Sequence, residues 1–140
     1  MLNGGIKMPN TQIKQYERLT DAELDIMRVL WQNGEGLRAG QIVKLLSETR
    51  SWKTQTAHVL LNRLEEKGFV SADRSGYFHT YNSAITEKEY FASESDAFLK
   101  RLGGSVKATV ASLIDAGDIS DTELSELEAL IRSRLGKKGE

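Results

Sequence analysis

From Thr49 to Leu64 the chain carries no Asp or Glu, yet it holds Arg50, Lys53 and Arg63, with His58 among them. A helix is predicted over about 53–67, and at ~100° per residue Ala57, Leu60, Leu61 and Leu64 share one side of it. Gln55, His58, Val59 and Asn62 fall on the opposite side, flanked by Thr56 and Arg63. That face is polar and short-chained, with one exposed β-branched residue. Its chemistry suits the edges of base pairs. Gln55 can pair with adenine, Thr56 can reach a base edge or a phosphate, and Val59 can meet a thymine methyl. His58 and Asn62 can donate to bases or phosphates, while Lys53 and Arg63 suit phosphates, with guanine as a second target for Arg63. Any solvated helix face can look like this, so the neighbouring elements must decide.

Upstream, Thr20 and Glu23 form a capping box, with Leu19 and Leu24 placed as a hydrophobic staple. Ile26, Met27, Leu30 and Trp31 continue an apolar stripe until Asn33-Gly34 ends the helix. A second helix is predicted over 39–48, burying Ile42, Val43, Leu45 and Leu46, without a good N-cap; Leu37 before it suits a short strand. The third helix stops at Gly68, and the period then switches to two. Residues 69–73 and 77–81 read as strands joined by Arg74-Ser75-Gly76, with Gly76 expected at positive φ and Arg74 aimed at a phosphate or the minor groove. Three helices followed by a hairpin is the order of a winged helix-turn-helix.

Beyond Asn82 the organisation changes. Thr86 with Glu89, Ser105, and Ser120 with Glu123 each open a helix, and Gly103-Gly104 and Gly117 separate them. These short amphipathic helices lack an evident core of their own, and a second copy of the chain is the simplest surface to cover them. Phe98, Leu102, Leu124, Leu127 and Ile131 are the expected dimerisation residues. The fold class expected is mainly α with a small antiparallel β-wing. It divides into a flexible tail (1–15), a winged-helix DNA-binding domain (16–82) and a helical dimerisation region (83–140).

Other functions find little support in the composition. The 140 residues include no cysteine, which removes disulfides, thiolate nucleophiles and cysteine metal sites. His58 and His79 lie on different predicted elements, and no metal or other cofactor is expected. There is no Gly-rich phosphate loop, no nucleophile elbow and no other enzyme constellation. No apolar run approaches the roughly 20 residues of a membrane span, and the N-terminus lacks a signal-peptide core, so a cytoplasmic protein is expected. A net charge of −1 argues against a general nucleic-acid coat and for focused contact through the third helix. Two rivals stand beside a DNA-reading repressor. One is a repressor released by a small molecule held near Tyr90, Phe91 and Phe98, although those aromatics read more economically as core. The other is a winged-helix module that binds protein and no DNA, which has no need of an acid-free helix.

The run Leu19-Thr20-Asp21-Ala22-Glu23-Leu24-Asp25-Ile26-Met27, with Leu30-Trp31, resembles the start of the penicillinase-repressor (BlaI/MecI/CopY) family. Thr56-Ala57-His58-Val59-Leu60-Leu61-Asn62-Arg63-Leu64, then Glu66-Lys67-Gly68 and a wing ending Tyr77-Phe78-His79-Thr80-Tyr81, extend the resemblance. It implies a homodimer that represses by binding a palindromic double-stranded operator, with Thr56, His58, Val59 and Arg63 facing DNA and Arg74 on the wing. It also implies a regulatory protease as partner of the β-lactam branch, cutting an Asn-Phe bond. The corresponding candidate switch here is Ala97-Phe98, which keeps the phenylalanine and lacks the asparagine. The cysteine motif of the copper-sensing branch is absent.

Overall fold

A computed structural model describes residues 13–34 and 36–139, so most of the expected tail lies outside the described residues. The element order is α1 (Asp21–Asn33), α2 (Ala39–Leu45), α3 (Thr54–Glu66), β1 (Val70–Asp73), β2 (Thr80–Ser83), α4 (Glu87–Arg101), α5 (Val106–Asp115) and α6 (Asp121–Gly139). Two compact units emerge, one through Ala97 and one from Phe98.

In the first unit the apolar stripes of α1, α2 and α3 meet. Ile26, Met27, Leu30, Ile42, Leu61 and Leu64 are almost wholly buried, joined by Phe69 and Tyr81 from the wing. The Thr20 hydroxyl accepts from the Glu23 N–H and the Glu23 carboxylate accepts from the Thr20 N–H, closing the capping box. Gly34 ends α1 at φ 83°, a left-handed conformation that glycine adopts without the Cβ penalty. The start of α2 is closed by Gln41, whose side chain accepts from the Arg38 N–H at 2.9 Å. This helix is shorter than expected. After Leu45 the chain tightens into turns, with the Thr49 and Arg50 N–H groups both donating to the Leu46 carbonyl.

The wing departs further from its expected form. β1 and β2 are antiparallel, with Ala72 opposite Tyr81 and Asp73 opposite Thr80; where a short strand is expected, Leu37 makes only a one-residue antiparallel bridge to Tyr81. Residues 77–79 are not strand. They belong to a six-residue tip, 74–79, in which the Arg38 guanidinium lies 4.5 Å from the Phe78 ring centre and Tyr77 meets Phe78 edge-on. Nor does Gly76 take a positive φ. The turn is closed instead by the Asp73 carboxylate, which accepts from the Ser75 N–H at 2.9 Å and from its hydroxyl at 2.6 Å.

The second unit has no core. None of residues 98–137 is buried, and Leu102, Val106, Leu113, Ile131 and Leu135 are each at least half exposed. Ser105 and Ser120 cap α5 and α6 as their spacing predicts. α6 runs on through Gly136 to Gly139. Of the aromatics read as core, Tyr90 is buried, but Phe91 and Phe98 are exposed.

Candidate nucleic-acid interface

The buried side of α3 is Ala57, Leu60, Leu61 and Leu64, which fixes the opposite side toward solvent. Lys53, its N-cap, and Gln55, Thr56, Asn62 and Arg63 are exposed. Val59 is 42% exposed, a β-branched side chain held in water on a helix that has an apolar core face available. His58 is half-buried. Among the described residues, none of these side chains makes a hydrogen bond or ion pair, so their donors and acceptors are free for an outside partner. Arg50 is different. It pairs with Asp25 at 2.7 Å and lies over Trp52, so one of the three cations in the acid-free window works inside the fold.

A groove of about 850 Å³ runs beside α3, between α2 and the wing tip. Arg38, the N-cap of α2, and Gln41 and Lys44 within it, spaced three apart, line one side; Thr54 and His58 belong to α3, and Tyr77, Phe78 and His79 to the tip. No carboxylate lines it. Arg38, Lys44 and Tyr77 were not among the residues singled out from the sequence. The i, i+3, i+6 spacing of Arg38, Gln41 and Lys44 was the available signal, obscured by the weak cap at the start of α2.

Arg74 is not free. Its guanidinium forks onto the Glu65 carboxylate at 2.7 and 2.9 Å, tying the wing to the last turn of α3. The Arg74 hydrogen bond holds the Glu65 carboxyl below the usual carboxylate range. A phosphate competes with Glu65 for the Arg74 charge, which the fork holds on the protein. Glu65→Gln should therefore release the arginine, tighten binding to DNA of any sequence and steepen the plot of log affinity against log salt by about 0.9, one phosphate's worth. A salt series by fluorescence anisotropy reads this directly, and an unchanged slope would remove Arg74 from the interface.

The residues expected at a dimer seam lie in the second unit. Phe98 and Leu102 are a little over half exposed, Ile131 is half exposed, and Leu124 and Leu127 are half-buried. Ile114, Leu124, Leu127, Ile131 and Leu135 line one apolar groove within that unit. Ala97 and Phe98 are both exposed, inside α4. Among the described residues no three His, Asp or Glu gather as metal ligands, and no helix is long and apolar enough to cross a membrane.

Comparison with known proteins bears on this geometry. Residues 19–133 match the family model described as penicillinase repressor. The penicillinase repressor of Bacillus licheniformis is 28% identical over 129 residues, covering 91% of this chain and all of that one. An uncharacterised 16.5 kDa protein of Latilactobacillus sakei is also 28% identical, over 83% of this chain and 80% of its own. Among solved structures, the DNA-binding domain of the repressor BlaI is 31% identical, covers 55% of this chain and 93% of that one, and has a TM-score of 0.47. Monomeric BlaI of Bacillus licheniformis, solved with the blaP half-operator, gives 30%, 54%, 92% and 0.46. With the family match spanning both units, the chain belongs to the penicillinase-repressor family, winged-helix DNA-binding repressors rather than enzymes.

Proposed function

We propose that the protein works as a homodimer that represses transcription by reading a palindromic operator, one half-site per protomer. α3 enters the major groove through Gln55, Thr56, His58, Val59, Asn62 and Arg63, with Lys53 on a phosphate at its start. The sugar-phosphate strand beside it lies in the acid-free groove, against Arg38, Lys44 and Tyr77, and Arg74 exchanges Glu65 for a phosphate. Phe98, Leu102, Leu124, Leu127 and Ile131 join the two copies. The observation that carries this reading is the outward face of α3, where base-reading side chains stand exposed and without internal partners.

The test is anisotropy of labelled DNA from directly upstream of the protein's own gene, against scrambled DNA, across a salt series. Tight, salt-weakened binding to the upstream DNA alone is expected; no binding at low salt would favour the protein-binding module. Arg63→Ala separates two roles within the same assay. Loss of a guanine contact costs about 1–3 kcal/mol and relaxes preference at one base pair. Loss of a phosphate contact weakens all sequences alike and flattens the salt slope. Wild-type affinity at every salt concentration would exclude Arg63 from the interface.

A further inference from the structure

We infer that the extended segment 13–19 is a strap that positions α4 on the winged helix and thereby sets which half-site spacing the dimer accepts. The inference rests on the dimeric, operator-reading function proposed above.

α4 is weakly held by ordinary packing. Its buried residues are Tyr90 and Ser93; the Tyr90 ring meets Trp31 of α1 and Phe69, and among the described residues no helix or strand makes an extended contact along it. Yet α4 is the stretch through which residues 98–140 join the reading head. Beyond that aromatic contact, the segment before α1 fastens it along its length. The Tyr90 hydroxyl accepts from the Leu19 N–H and the Ser93 hydroxyl accepts from the Tyr16 N–H, each at 2.9 Å. Gln15 donates to Asp96 at 2.8 Å, and Arg18 pairs with Glu94 at 3.7 Å. As the segment is followed backward from Leu19 to Gln15, its partners advance along α4 from Tyr90 to Asp96. The strap thus runs antiparallel to the helix for nearly two turns.

The side chains at the two central contacts are built for this role. Tyr90 and Ser93 are 4% and 2% exposed, and each uses its oxygen on a backbone N–H more than 70 residues away. An extended segment without a sheet partner must satisfy its N–H groups elsewhere, and here α4 supplies the acceptors. Neither oxygen is needed for α4 to be helical. Aromatic packing completes the anchor, with the rings of Tyr16 and Tyr90 both against Phe69.

The consequence lies in how two half-site contacts combine. The second contact gains from the first only if the linked reading head is presented at the right separation and orientation. A strap that fixes α4 concentrates the presentation on one spacing, while a loosened one spreads it over several. The strap residues touch no DNA in this scheme, so binding to a single half-site is indifferent to them.

The test uses the full chain carrying Tyr90→Phe with Ser93→Ala, which removes both acceptors and preserves most of the packing. Wild type and variant are titrated against a single half-site duplex and against palindromes whose half-sites are moved apart one base pair at a time. The expected result is half-site affinity within twofold of wild type and unchanged dimer mass. Affinity for the preferred spacing should fall about tenfold, with a flattened preference among spacings. A wild-type spacing profile in the variant overturns the proposal, and so does an equal loss on the half-site, which would place the effect in the reading head. Gln15→Ala with Arg18→Ala changes only exposed side chains, should shift the profile the same way by a smaller factor, and decides the matter if the first variant fails to fold. The wild-type arm stands apart: a protein that prefers no palindrome over a half-site contradicts the dimeric reading itself, whatever the variants do.

Discussion

Leu127→Asp is expected to yield a folded monomer whose affinity for a palindromic operator is at least about 100-fold below wild type, with half-site affinity unchanged. Residues 98–137 bury nothing by themselves, although α5 and α6 present Leu113, Ile114, Leu124, Leu127, Ile131 and Leu135. Helices of 10 and 19 residues draw little stability from propensity and need an apolar surface to pack against. Covering the exposed half of each Leu or Ile by a second copy contributes about 1 kcal/mol, so six on each side together offset the cost of association. An aspartate in such a seam must be desolvated without a partner, or neutralised, and the pair opens instead. Ile131→Asp, one turn further along α6, should behave the same way, while Ser133→Asp on the exposed surface should not. Sedimentation gives the mass and anisotropy the affinity. A Leu127→Asp protein that keeps wild-type values of both would remove α6 from the interface.

Where the sequence was legible, local chemistry dominated. The Thr20–Glu23 and Thr86–Glu89 capping boxes and the Gly34 terminus depend on a few adjacent residues and appear in the structure as their spacing predicts. The face of α3 follows from periodicity alone. The wing tip was misread because Tyr77 and Phe78 have high strand propensity, and what holds them is tertiary: Arg38, about 40 positions earlier, stacks on Phe78. The fork of Arg74 on Glu65 was hidden for the same reason, since nothing in the hairpin pattern says that its tip returns to α3. The strap was invisible because an extended segment with no alternation looks like a tail, and its partners on α4 lie more than 70 residues away. Glu23 is a cap, but it is also the buried half of an ion pair.

Glu23→Ala is expected to lower stability by about 2–4 kcal/mol and the Tm by about 10 °C. The carboxylate is 1% exposed and accepts from the Thr20 N–H and, through both oxygens, from the Lys67 ammonium at 2.9 and 3.0 Å. Lys67 caps the C-terminus of α3, so this contact clamps the end of α3 to the start of α1. Alanine removes an acceptor of the capping box and leaves the lysine with only Glu17, at 3.2 Å and largely exposed. Glu23→Gln keeps an acceptor for the Thr20 N–H and should cost about half as much. The pH dependence follows from the same contacts. Burial alone would push the Glu23 carboxyl up, but the Thr20 N–H and Lys67 outweigh it and hold it below its ordinary value, near 4.5. A depressed carboxyl contributes stability that is present above that value and lost as the pH falls through the folded-state value. The Lys67 ammonium is raised by its hydrogen bond to Glu23, so its share is present below about 10.5 and lost as the pH rises through the folded-state value. Urea unfolding from pH 3 to 7 should therefore show a stability loss below about pH 4.5 that is smaller in Glu23→Gln. Equal acid sensitivity in wild type and variant would mean that the pair adds nothing to the folded state.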